Sequence, residues 1–492
     1  MKRVLAIDLG ASNGRAMLGK LEGTEEKYIS LEEIHRFDNR AIELCGTLYW
    51  NALAIFQEIK HSLHLCNEIS LDSISVDTWG VDFGLIDRYG ALLQNPVCYR
   101  DSRTEGMIEV VCKIIPQDQL YQKTGIQFMA LNTLFQLYYL SKERPELLKA
   151  ADKLLLMPDL FNYLLSGKMA WEFSIASTTQ MLDHANADWQ KKMLETLNID
   201  SALLGDITPS GRTIGKLRPE IANELGYDID VISGSGHDTA CAVIAVPAEQ
   251  KDFLFISMGT WAVVGTELER PIINDLSKRY NLTNEGGYNN TVRFLKNITG
   301  LWTIQEAKRH YALQGDDYSF DEIVKMAMSA EPHSAFIDPN AAEFLSPGDI
   351  PQRIVDFCKK TNQTVPQSRA QILRIIYESL ALKCRESIEN IATCTNKAYD
   401  TIHIIGGGTR AEILCQMIAD ATAKKVVAGP IEASALGNVA VQLMASGAIK
   451  DIHEARQIIR RSTEPKTYHP TDTAAWQRAY GQYSTILQEE AI

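Results

Sequence analysis

The chain has 492 residues, of which 45% are apolar, and its 62 acidic against 49 basic side chains give a formal net charge of −13. This composition is that of a globular chain with room for two or three domains, and it excludes a disordered or collagen-like protein. Because the chain is acidic and has no basic block, it lacks the electrostatic basis for holding nucleic acid or an anionic membrane. We therefore expect small-molecule ligands and neither of those partners.

The cysteines and the N-terminus indicate a reducing compartment. Nine cysteines, an odd number, are scattered from Cys45 to Cys415 without a Cys-x-x-Cys pair, so we interpret them as buried thiols. The N-terminal sequence MKRVLAIDLG reaches a charged residue, Asp8, before an apolar signal-peptide core can form. The longest uncharged apolar stretch, 239–248, is far shorter than the ~18 residues that span a bilayer. These features predict a cytoplasmic protein.

Short β-rich segments alternate with segments of helical period along the whole chain. Strands are predicted at 4–9, 73–77, 230–233, 253–257 and 401–405, and helices at 368–391 and 411–423. This alternation is typical of an α/β fold.

One sequence pattern occurs twice, at positions about half the chain length apart. The sequence VLAIDLGASNGRAMLG at 4–19 and the sequence FLFISMGTWAVVGTE at 253–267 both read as strand, glycine turn, strand. The repeated pattern predicts two domains of like architecture, an N-terminal domain over 1–247 and a C-terminal domain over 248–492.

The first segment with chemical character is DLGASNGR at 8–15. An acidic residue closes a strand and is followed by a turn of small residues, in which backbone N–H groups can approach a phosphate without interference from Cβ atoms. The Asp8 carboxylate can hold Mg²⁺ through water. An ordinary hairpin with a glycine turn would have the same sequence pattern.

The next segment, DTWGVDFG at 77–84, interrupts a buried strand with Asp77, Trp79 and Gly80. A flat aromatic ring beside a carboxylate is a common way to hold a sugar, but a structural tryptophan at a domain boundary is equally common. The charged segment YRDSR at 99–103 can serve the sugar or tie loops together by ion pairs, and the structural role is favoured. Three residues of one predicted helix are weaker sugar candidates: Asn132, Thr133 and Gln136.

The segment GSGHDTA at 234–240 follows a predicted strand and can present His237, Asp238 and Thr239 together in a cleft. Asp238 is the candidate base, since phosphoryl transfer to a hydroxyl passes through a loose transition state and a well-placed carboxylate suffices. The alternative is an aspartate that caps the next helix.

Three further segments contain clustered small residues. The turn SMGTW at 257–261 offers amides and the Thr260 hydroxyl to a triphosphate. The three glycines at 406–408 favour close packing of an adenine or ribose ring, or form a plain turn from strand to helix. The segment EASALGN at 432–438 can pack against the same face of the nucleotide, or its small residues can allow tight packing of a helix.

In this order, the segments DLGASNGR, DTWGVDFG, YRDSRT, GSGHDTA, MGTW, KNITGLWTIQE, GGGTRAE and GPIEASALGN make the chain resemble the FGGY carbohydrate kinases over nearly its whole length. The resemblance implies an α/β, actin-like ATPase fold of two ribonuclease-H-like domains with an active-site cleft between them. It also implies ATP-dependent phosphorylation of a ketose at its 1-hydroxyl. L-rhamnulose is the expected substrate, and L-fuculose or D-xylulose is the alternative.

The resemblance also implies roles for individual residues, with Asp238 as proton acceptor and Asp8 near Mg²⁺. The sugar side is Asp77, Trp79, Gly80, His237, Asp238 and Thr239, and the ATP side is Ala11, Ser12, Asn13, Gly14, Arg15, Thr260, Asn297, Gln305 and Gly407. The chain departs from the wider family at Ala11, where many members have Thr, and at Ala411, where an Asn often stands.

Two rivals come from other functional classes. A non-enzymatic actin-like ATPase would lack GSGHDTA and the Trp79 segment. A sugar-sensing regulator would add a DNA-binding helix-turn-helix, for which the chain has no spare basic segment. We expect a monomer or a homodimer that binds ATP and a ketose.

Overall fold

The computed structural model describes residues 2–183 and 186–490. Two compact units divide the chain, and both are discontinuous along the sequence. The first unit consists of Met1–Pro247, Glu267–Phe294 and Glu432–Thr463, and the second of Ala248–Thr266, Leu295–Ile431 and Glu464–Ile492. The contiguous domains expected at 1–247 and 248–492 stay a prediction.

The strands are β1 (Lys2–Leu9), β2 (Asn13–Glu22), β3 (Tyr28–Asp38), β4 (Ile42–Leu44), β5 (Thr47–Tyr49), β6 (Ser73–Thr78), β7 (Phe83–Ile86), β8 (Lys153–Leu156), β9 (Trp171–Glu172), β10 (Leu182–Asp183), β11 (Asp188–Trp189), β12 (Ile207–Thr208), β13 (Arg212–Lys216), β14 (Asp230–Ser233), β15 (Leu254–Met258), β16 (Trp261–Leu268), β17 (Thr283–Gly286), β18 (Val292–Thr299), β19 (Thr401–Ile405), β20 (Lys425–Ala428) and β21 (Lys466–Tyr468).

The helices are α1 (Ala52–Leu65), α2 (Met107–Cys112), α3 (Gln117–Thr124), α4 (Thr133–Glu143), α5 (Pro145–Ala150), α6 (Met157–Ser166), α7 (Phe173–Ala176), α8 (Lys191–Thr196), α9 (Pro219–Leu225), α10 (Asp238–Ile244), α11 (Asp275–Arg279), α12 (Trp302–Leu313), α13 (Phe320–Ser329), α14 (Ala342–Leu345), α15 (Ile350–Lys360), α16 (Arg369–Thr395), α17 (Glu412–Thr422), α18 (Ala433–Ala445), α19 (Ile452–Ser462) and α20 (Thr473–Glu490).

The first unit is built on a six-stranded sheet of order β13-β14-β6-β1-β2-β3. Strand β1 runs antiparallel to β2 and parallel to β6, which in turn runs parallel to β14. Every side chain from Val4 to Leu9 is buried, as is every side chain of β6. Burial on both faces is typical of parallel strands that are covered on both sides, and it explains why these segments are nearly continuous apolar runs.

The second unit repeats this arrangement with β16-β15-β19-β20-β21. Strand β15 runs antiparallel to β16 and parallel to β19, which runs parallel to β20. The two sequences with the repeated pattern therefore form equivalent hairpins, β1–β2 and β15–β16, and the prediction of two units of like architecture is confirmed. The five predicted strands and both predicted helices are also confirmed, with ends that differ by a few residues.

Helices α10 and α18 approach each other unusually closely in the first unit. A Cβ atom placed on Gly437 would lie 1.8 Å from the carbonyl oxygen of Cys241, so only glycine allows this approach. The interpretation of 432–438 as a tightly packed helix start is therefore confirmed. Helix α18 also packs on β1 and β6, the strands that carry Asp8 and Asp77.

All nine cysteines are free, and six of them are buried. Cys112 and Cys394 are half-buried, and Cys45 is exposed. The expectation of a buried thiol is wrong for Cys45 because this residue lies in the tight turn between β4 and β5, where the chain faces solvent. Within the residues that the structure describes, no helix has both the length and the apolar character needed to cross a bilayer.

Candidate active site

Three neighbouring parallel strands of the first unit end at the same edge of its sheet, and each one leads into predicted site residues. Asp8 of β1 and Asp77 of β6 are direct partners in the parallel register. His237, which follows β14, forms an isolated bridge with Thr78. Because the carboxyl ends of parallel strands meet at one edge, this edge is the usual position of a ligand site in an α/β sheet. The structure thus brings Asp8, Asp77 and Asp238 together from three distant parts of the sequence.

Asp8 is held by an arginine from its own hairpin. The antiparallel register places Arg15 opposite Asp8, and Arg15 donates from Nη2 to Asp8 Oδ2 and from Nη1 to Glu432 Oε2. Burial raises the pKa of Asp8, and the neighbouring charges of Asp238 and Glu432 add to this, while Arg15 opposes it. The net direction is upward, as expected for a carboxylate held among other carboxylates.

The turn that joins β1 to β2 is a closed hairpin. The backbone N–H of Gly10 donates to the carbonyl oxygen of Asn13 at 2.9 Å. A Cβ atom on Gly14 would lie 2.3 Å from the Phe37 ring, so this glycine serves packing within the unit. The hairpin agrees with the structural alternative, and phosphate binding here stays a prediction. The residues predicted for phosphate are Ala11 and Ser12 in the turn and Asn13, Gly14 and Arg15 in β2.

Asp77 is completely buried and is held from helix α18. Asn438 donates from Nδ2 to Asp77 Oδ2 at 2.6 Å, and Gln442 donates from Nε2 to Asn438 Oδ1 at 2.7 Å. Burial raises the pKa of Asp77 well above its usual range, and the charge of Asp8 raises it further, whereas the hydrogen bond from Asn438 lowers it. Within the described residues, Oδ1 of Asp77 has no hydrogen-bond partner.

The carboxylates at this edge fit a divalent cation. The negative charge of Asp8 disfavours ionisation of Asp77 and raises its pKa. Oδ1 of Asp77 is a buried oxygen to which no described residue donates a hydrogen bond. A cation beside them would relieve the repulsion, and oxygen donors are the ligands that hard divalent cations take. In the described part of the chain, no group of three His, Cys, Asp or Glu side chains is placed to coordinate an ion directly. An ion held through water at Asp8 stays a prediction.

Asp238 is the first residue of α10, and its two carboxylate oxygens have different surroundings. Oδ1 accepts from the backbone N–H of Thr239 and, at 3.1 Å, from the Thr239 hydroxyl. Nε2 of His237 lies 3.4 Å from the same oxygen. No donor from the described residues contacts Oδ2. The carboxylate is about a quarter exposed, with 28% of its side chain accessible, so it can meet a ligand.

His237 is held from the opposite side by a buried ion pair. Nη2 of Arg293 lies 3.1 Å from His237 Nδ1, and Nη1 of Arg293 lies 3.2 Å from Glu285 Oε2. Arg293 is 0% exposed and also donates from Nε to the carbonyl oxygen of Gly286 at 2.8 Å. Burial lowers the pKa of Arg293, and the negative charge of Glu285 opposes that effect.

Glu172 fixes the loop that carries Asp238. Its carboxylate accepts from the backbone N–H of Gly236 at 2.9 Å, from that of Ile175 at 3.1 Å and from that of Ser174 at 2.9 Å. The hydroxyls of Ser174 and Ser210 also donate to it. A buried carboxylate that accepts this many hydrogen bonds is compensated for its loss of water, and it holds the glycine-rich loop in place.

Trp79 is part of a buried cluster around Asp82. Both Trp50 and Trp79 donate from Nε1 to Asp82 Oδ2, at 2.6 and 3.0 Å, and their rings are in contact, tilted by 40° with centroids 4.2 Å apart. Gln136 donates to Asp82 Oδ1 at 3.0 Å. Burial raises the pKa of Asp82 to about 6 despite these hydrogen bonds. Trp79 is only 5% exposed, an environment typical of a structural tryptophan, and its contact with a sugar stays a prediction.

Gly80 lies beside this cluster, against Thr178. A Cβ atom on Gly80 would meet the Thr178 side chain at 3.3 Å, and the Thr178 hydroxyl accepts from the backbone N–H of Val81 at 3.2 Å. Thr133 and Gln136, which the sequence offers as weak sugar candidates, donate to this segment and to Asp82. These side chains therefore hold the segment 80–82 in position.

In the second unit, the turn after β15 carries Thr260. Its hydroxyl donates to Gln305 Oε1 at 3.3 Å, and its carbonyl accepts from the backbone N–H of Gly300 at 3.1 Å. A Cβ atom on Gly300 would lie 2.6 Å from the carbonyl oxygen of Gly259, so two backbone segments pass closely here. The structure thus brings together the predicted ATP residues Thr260 and Gln305. Asn297 lies half-buried in β18.

The three glycines after β19 have three different environments. Gly406 has a φ of +84°, and a Cβ atom on Gly408 would lie 2.1 Å from the Met258 side chain. A Cβ atom on Gly407 would meet nothing within 4 Å. Close packing at Gly408 is thus provided by the chain itself, whereas Gly407 opens a 3₁₀ turn over Gly407–Arg410 with free space beside it.

Several residues of the site were missed by reading the sequence. Glu172 and Arg293 stand in segments without glycine turns or recognisable motifs, and the two glycines that follow Glu285 belong to no motif that marks it. Glu432 and Asn438 lie in the segment GPIEASALGN, whose small residues indicate packing on the nucleotide face or tight helix packing and do not mark these two side chains. Asn438, a polar residue on a helix with a buried and largely apolar surface, is the signal available there.

The fold and the family comparison together define a kinase with an actin-like ATPase fold of two similar α/β units. The chain belongs to the FGGY family of carbohydrate kinases. The family's N-terminal domain matches residues 3–245, and its C-terminal domain matches residues 254–446. As a carbohydrate kinase, the enzyme acts on small molecules, ATP and a sugar, with a divalent metal.

The chain is similar over nearly its whole length to several curated relatives. It is 42% identical to the rhamnulokinase of Bacteroides thetaiotaomicron over 487 residues, which cover 98% of this chain and 99% of the relative. It is 41% identical to the rhamnulokinase of Oceanobacillus iheyensis, with 94% and 97% of the two chains covered.

Solved structures of more distant kinases share the fold. A ligand-bound xylulose kinase from Lactobacillus acidophilus superposes with a TM-score of 0.84 at 17% identity, covering 100% of this chain and 99% of the other. Plasmodium falciparum glycerol kinase with ADP superposes with a TM-score of 0.79 at 15% identity, with the same coverage. The predicted actin-like α/β fold is confirmed.

Proposed function

We propose that this enzyme transfers the γ-phosphoryl group of ATP to the 1-hydroxyl of L-rhamnulose, giving L-rhamnulose 1-phosphate and ADP. The observation that carries the chemistry is the position of Asp238 at the strand ends beside Asp8 and Asp77, with one carboxylate oxygen held and the other open. The choice of sugar is supported by the names of the full-length relatives at about 40% identity. L-fuculose and D-xylulose are less favoured, since the xylulose kinases are similar to this chain in fold alone.

In this proposal, Asp238 orients the sugar hydroxyl and accepts its proton. The bond from the sugar oxygen to the γ-phosphorus forms as the bond from that phosphorus to the β,γ-bridging oxygen breaks, and ADP leaves with the electron pair. Because the transition state is loose, the proton leaves late and a carboxylate of modest basicity suffices. His237, Thr239, Gly80, Asp77 and Trp79 stay the proposed sugar-side residues.

Nucleotide binding is proposed for the hairpin residues 11–15 and for Thr260, Asn297, Gln305 and Gly407. Support comes from the open space beside Gly407 and from the hydrogen bond between Thr260 and Gln305, which aligns two polar side chains in one unit. Asp8 would hold Mg²⁺ through water, and bound Mg²⁺ would neutralise charge on the transferring phosphate. Arg15 would keep Asp8 ionised for that task.

Compartment and assembly are proposed as the sequence predicts them. Nine free cysteines support a reducing compartment, and we propose the cytoplasm. We propose a monomer or a homodimer as the working form.

The proposal is tested by measuring ADP release in a coupled assay with Mg·ATP and L-rhamnulose, L-fuculose, D-xylulose or glycerol, with a control lacking sugar. We expect L-rhamnulose to give the highest kcat/KM. A preference for another sugar would reassign the substrate and leave the site in place. ADP release that does not depend on any sugar would contradict the proposed transfer.

A further inference from the structure

Arg293 offers a chemical constraint on its neighbour His237. A guanidinium group has N–H donors and no acceptor. Its Nη2 lies 3.1 Å from His237 Nδ1, so this contact is a hydrogen bond only if Nδ1 presents a lone pair. A proton on Nδ1 would face the Arg293 donor directly. The neutral tautomer that satisfies the contact therefore carries its hydrogen on Nε2.

The second nitrogen of the imidazole faces the proposed base. Nε2 of His237 lies 3.4 Å from Asp238 Oδ1. With hydrogen on Nε2, this contact joins a donor to a carboxylate oxygen and is attractive; with a lone pair there, it would be repulsive. Thr239 already donates to the same oxygen from its backbone and its hydroxyl.

The charged groups around the imidazole are Arg293, Glu285 and Asp238. Glu285 Oε2 lies 3.2 Å from Arg293 Nη1 and 3.4 Å from His237 Nδ1, so it compensates the buried guanidinium. Without Arg293, the same carboxylate would attract a proton to Nδ1 and reverse the tautomer. Arg293 therefore decides which nitrogen of His237 is protonated.

We propose that Arg293 is a positioning residue: it keeps His237 in the tautomer whose Nε2–H faces Asp238 Oδ1, the oxygen that Thr239 also holds, so that Asp238 Oδ2 is the oxygen that receives the substrate proton. This inference rests on the proposed function of Asp238. It names Asp238 Oδ2 as the atom that accepts the proton. The residue that selects this oxygen is Arg293, which is 0% exposed and acts on Asp238 through His237. Arg293 does not touch the substrate in this arrangement.

The tautomer is measured directly by ¹⁵N NMR of the unmodified, histidine-labelled full chain. Protonated and unprotonated imidazole nitrogens differ widely in chemical shift, and His237 is identified among the ten histidines by the signal lost in His237→Gln. We expect a protonated Nε2 and an unprotonated Nδ1 at neutral pH. A protonated Nδ1 in this protein would overturn the proposal without any variant of Arg293.

The kinetic test removes both buried charges together, because leaving Glu285 unpaired could prevent folding. In the double variant Arg293→Met with Glu285→Leu, we expect kcat to fall by about 10- to 100-fold with the KM for ATP unchanged, as for a misoriented catalytic group. In Arg293→Met alone, where Glu285 keeps its carboxylate, the His237 signal should shift toward the tautomer protonated on Nδ1. In Arg293→Lys, which keeps a cation that can only donate, we expect the original tautomer and most of the activity.

A matched control is the buried pair Arg374 and Glu378 of the second unit, which also has a histidine, His333, beside it. Arg374→Met with Glu378→Leu should lower stability and leave the His237 tautomer unchanged. If Arg293→Met keeps the tautomer of the parent protein and the double variant keeps its kcat, Arg293 has a structural role only. Failure of the proposed function can be distinguished from failure of this inference. An active Asp238→Asn variant would show that Asp238 is not the base, whereas the tautomer measured in the parent protein would be unaffected.

Discussion

The two hairpins predicted from the repeated sequence pattern, β1–β2 and β15–β16, have the same backbone arrangement but different side chains at their strand ends. In the first unit, Asp8 near the end of β1 is paired in register with Asp77 of β6. At the equivalent place in the second unit, Ser257 of β15 is paired with Ile405 of β19. One unit therefore concentrates buried carboxylates at its strand ends, and the other presents a hydroxyl, an apolar side chain and glycine turns.

Under the proposed function, this difference adapts one architecture to two ligands. The carboxylates of the first unit raise each other's pKa and are held by arginine and amide side chains, an environment suited to a cation and a hydroxyl proton. The second unit offers backbone amides and space beside Gly407, which suits a nucleotide that brings its own charge. The following substitutions test the difference, from the largest expected effect to the smallest.

The carboxylate chemistry of the first unit is removed by Asp238→Asn. We expect kcat to fall by about 10²- to 10⁴-fold, since an amide cannot accept the proton, while the KM for ATP stays within about twofold. Steady-state kinetics with Mg·ATP and L-rhamnulose measure both. Asp275→Asn is the control, because Asp275 is also the first residue of a helix but is 93% exposed and contacts only surface lysine. Substantial turnover by Asp238→Asn would remove Asp238 from the role of base.

The buried charge of Asp82 makes stability depend on pH. Its pKa is about 6 in the folded protein against an ordinary value of 3.8, so the folded state binds the proton more tightly than the unfolded state. Its contribution to the free energy of unfolding therefore decreases as pH rises from about 4 to 7, by about 3 kcal/mol in total. We expect Asp82→Asn to remove this part of the pH dependence in denaturant unfolding at pH 5 and pH 7.

The Asp82 comparison is made relative to the parent protein, in which the other carboxylates are unchanged. Asp275→Asn again serves as the control and should keep the parent's pH dependence. Equal pH dependence in Asp82→Asn and the parent would show that Asp82 is not the group that titrates.

The amide that holds Asp77 is removed by Asn438→Ala. The variant loses the hydrogen bond to Asp77 Oδ2 and one of the two acceptors of Gln442 Nε2, so we expect a loss of about 2–3 kcal/mol in the free energy of unfolding. Gln416→Ala is the matched control in the second unit, because Asp420 keeps hydrogen bonds from Thr471 when Gln416 is removed. Its expected loss is below about 1 kcal/mol, and equal losses for the two variants would contradict the difference between the units.

The glycine turns are compared through Gly407→Ala and Gly14→Ala. A methyl group at 407 meets no atom within 4 Å, so we expect an unchanged melting temperature and a KM for ATP raised several-fold, about 1 kcal/mol of binding. A methyl group at 14 meets the Phe37 ring and should lower stability by about 1 kcal/mol. An unchanged KM in Gly407→Ala would exclude Gly407 from the nucleotide site.

Much of the fold could be predicted from local sequence patterns. The strands at 4–9 and 73–77 are nearly continuous apolar runs because both of their faces are buried, and the long helix at 368–391 shows its period directly. Asp8 and Asp77 could be singled out because a charged residue in such a run is costly unless it serves a purpose, and Asp238 because it follows a glycine-rich turn after a strand. The role of Gly14 in packing against Phe37 could not be predicted, since the two residues meet only through the pairing of β2 with β3.

By itself, therefore, the sequence determined the α/β pattern, the repeated hairpin and the acidic residues at the strand ends, because backbone hydrogen bonding and solvent exposure impose short periods along the chain. Tertiary structure alone decided that Arg293 faces His237, that Glu172 holds Gly236 and that Asn438 holds Asp77. These partners are 56, 64 and 361 residues apart. Such pairs form because a buried charge must find a partner wherever packing brings one, and no local pattern records that choice.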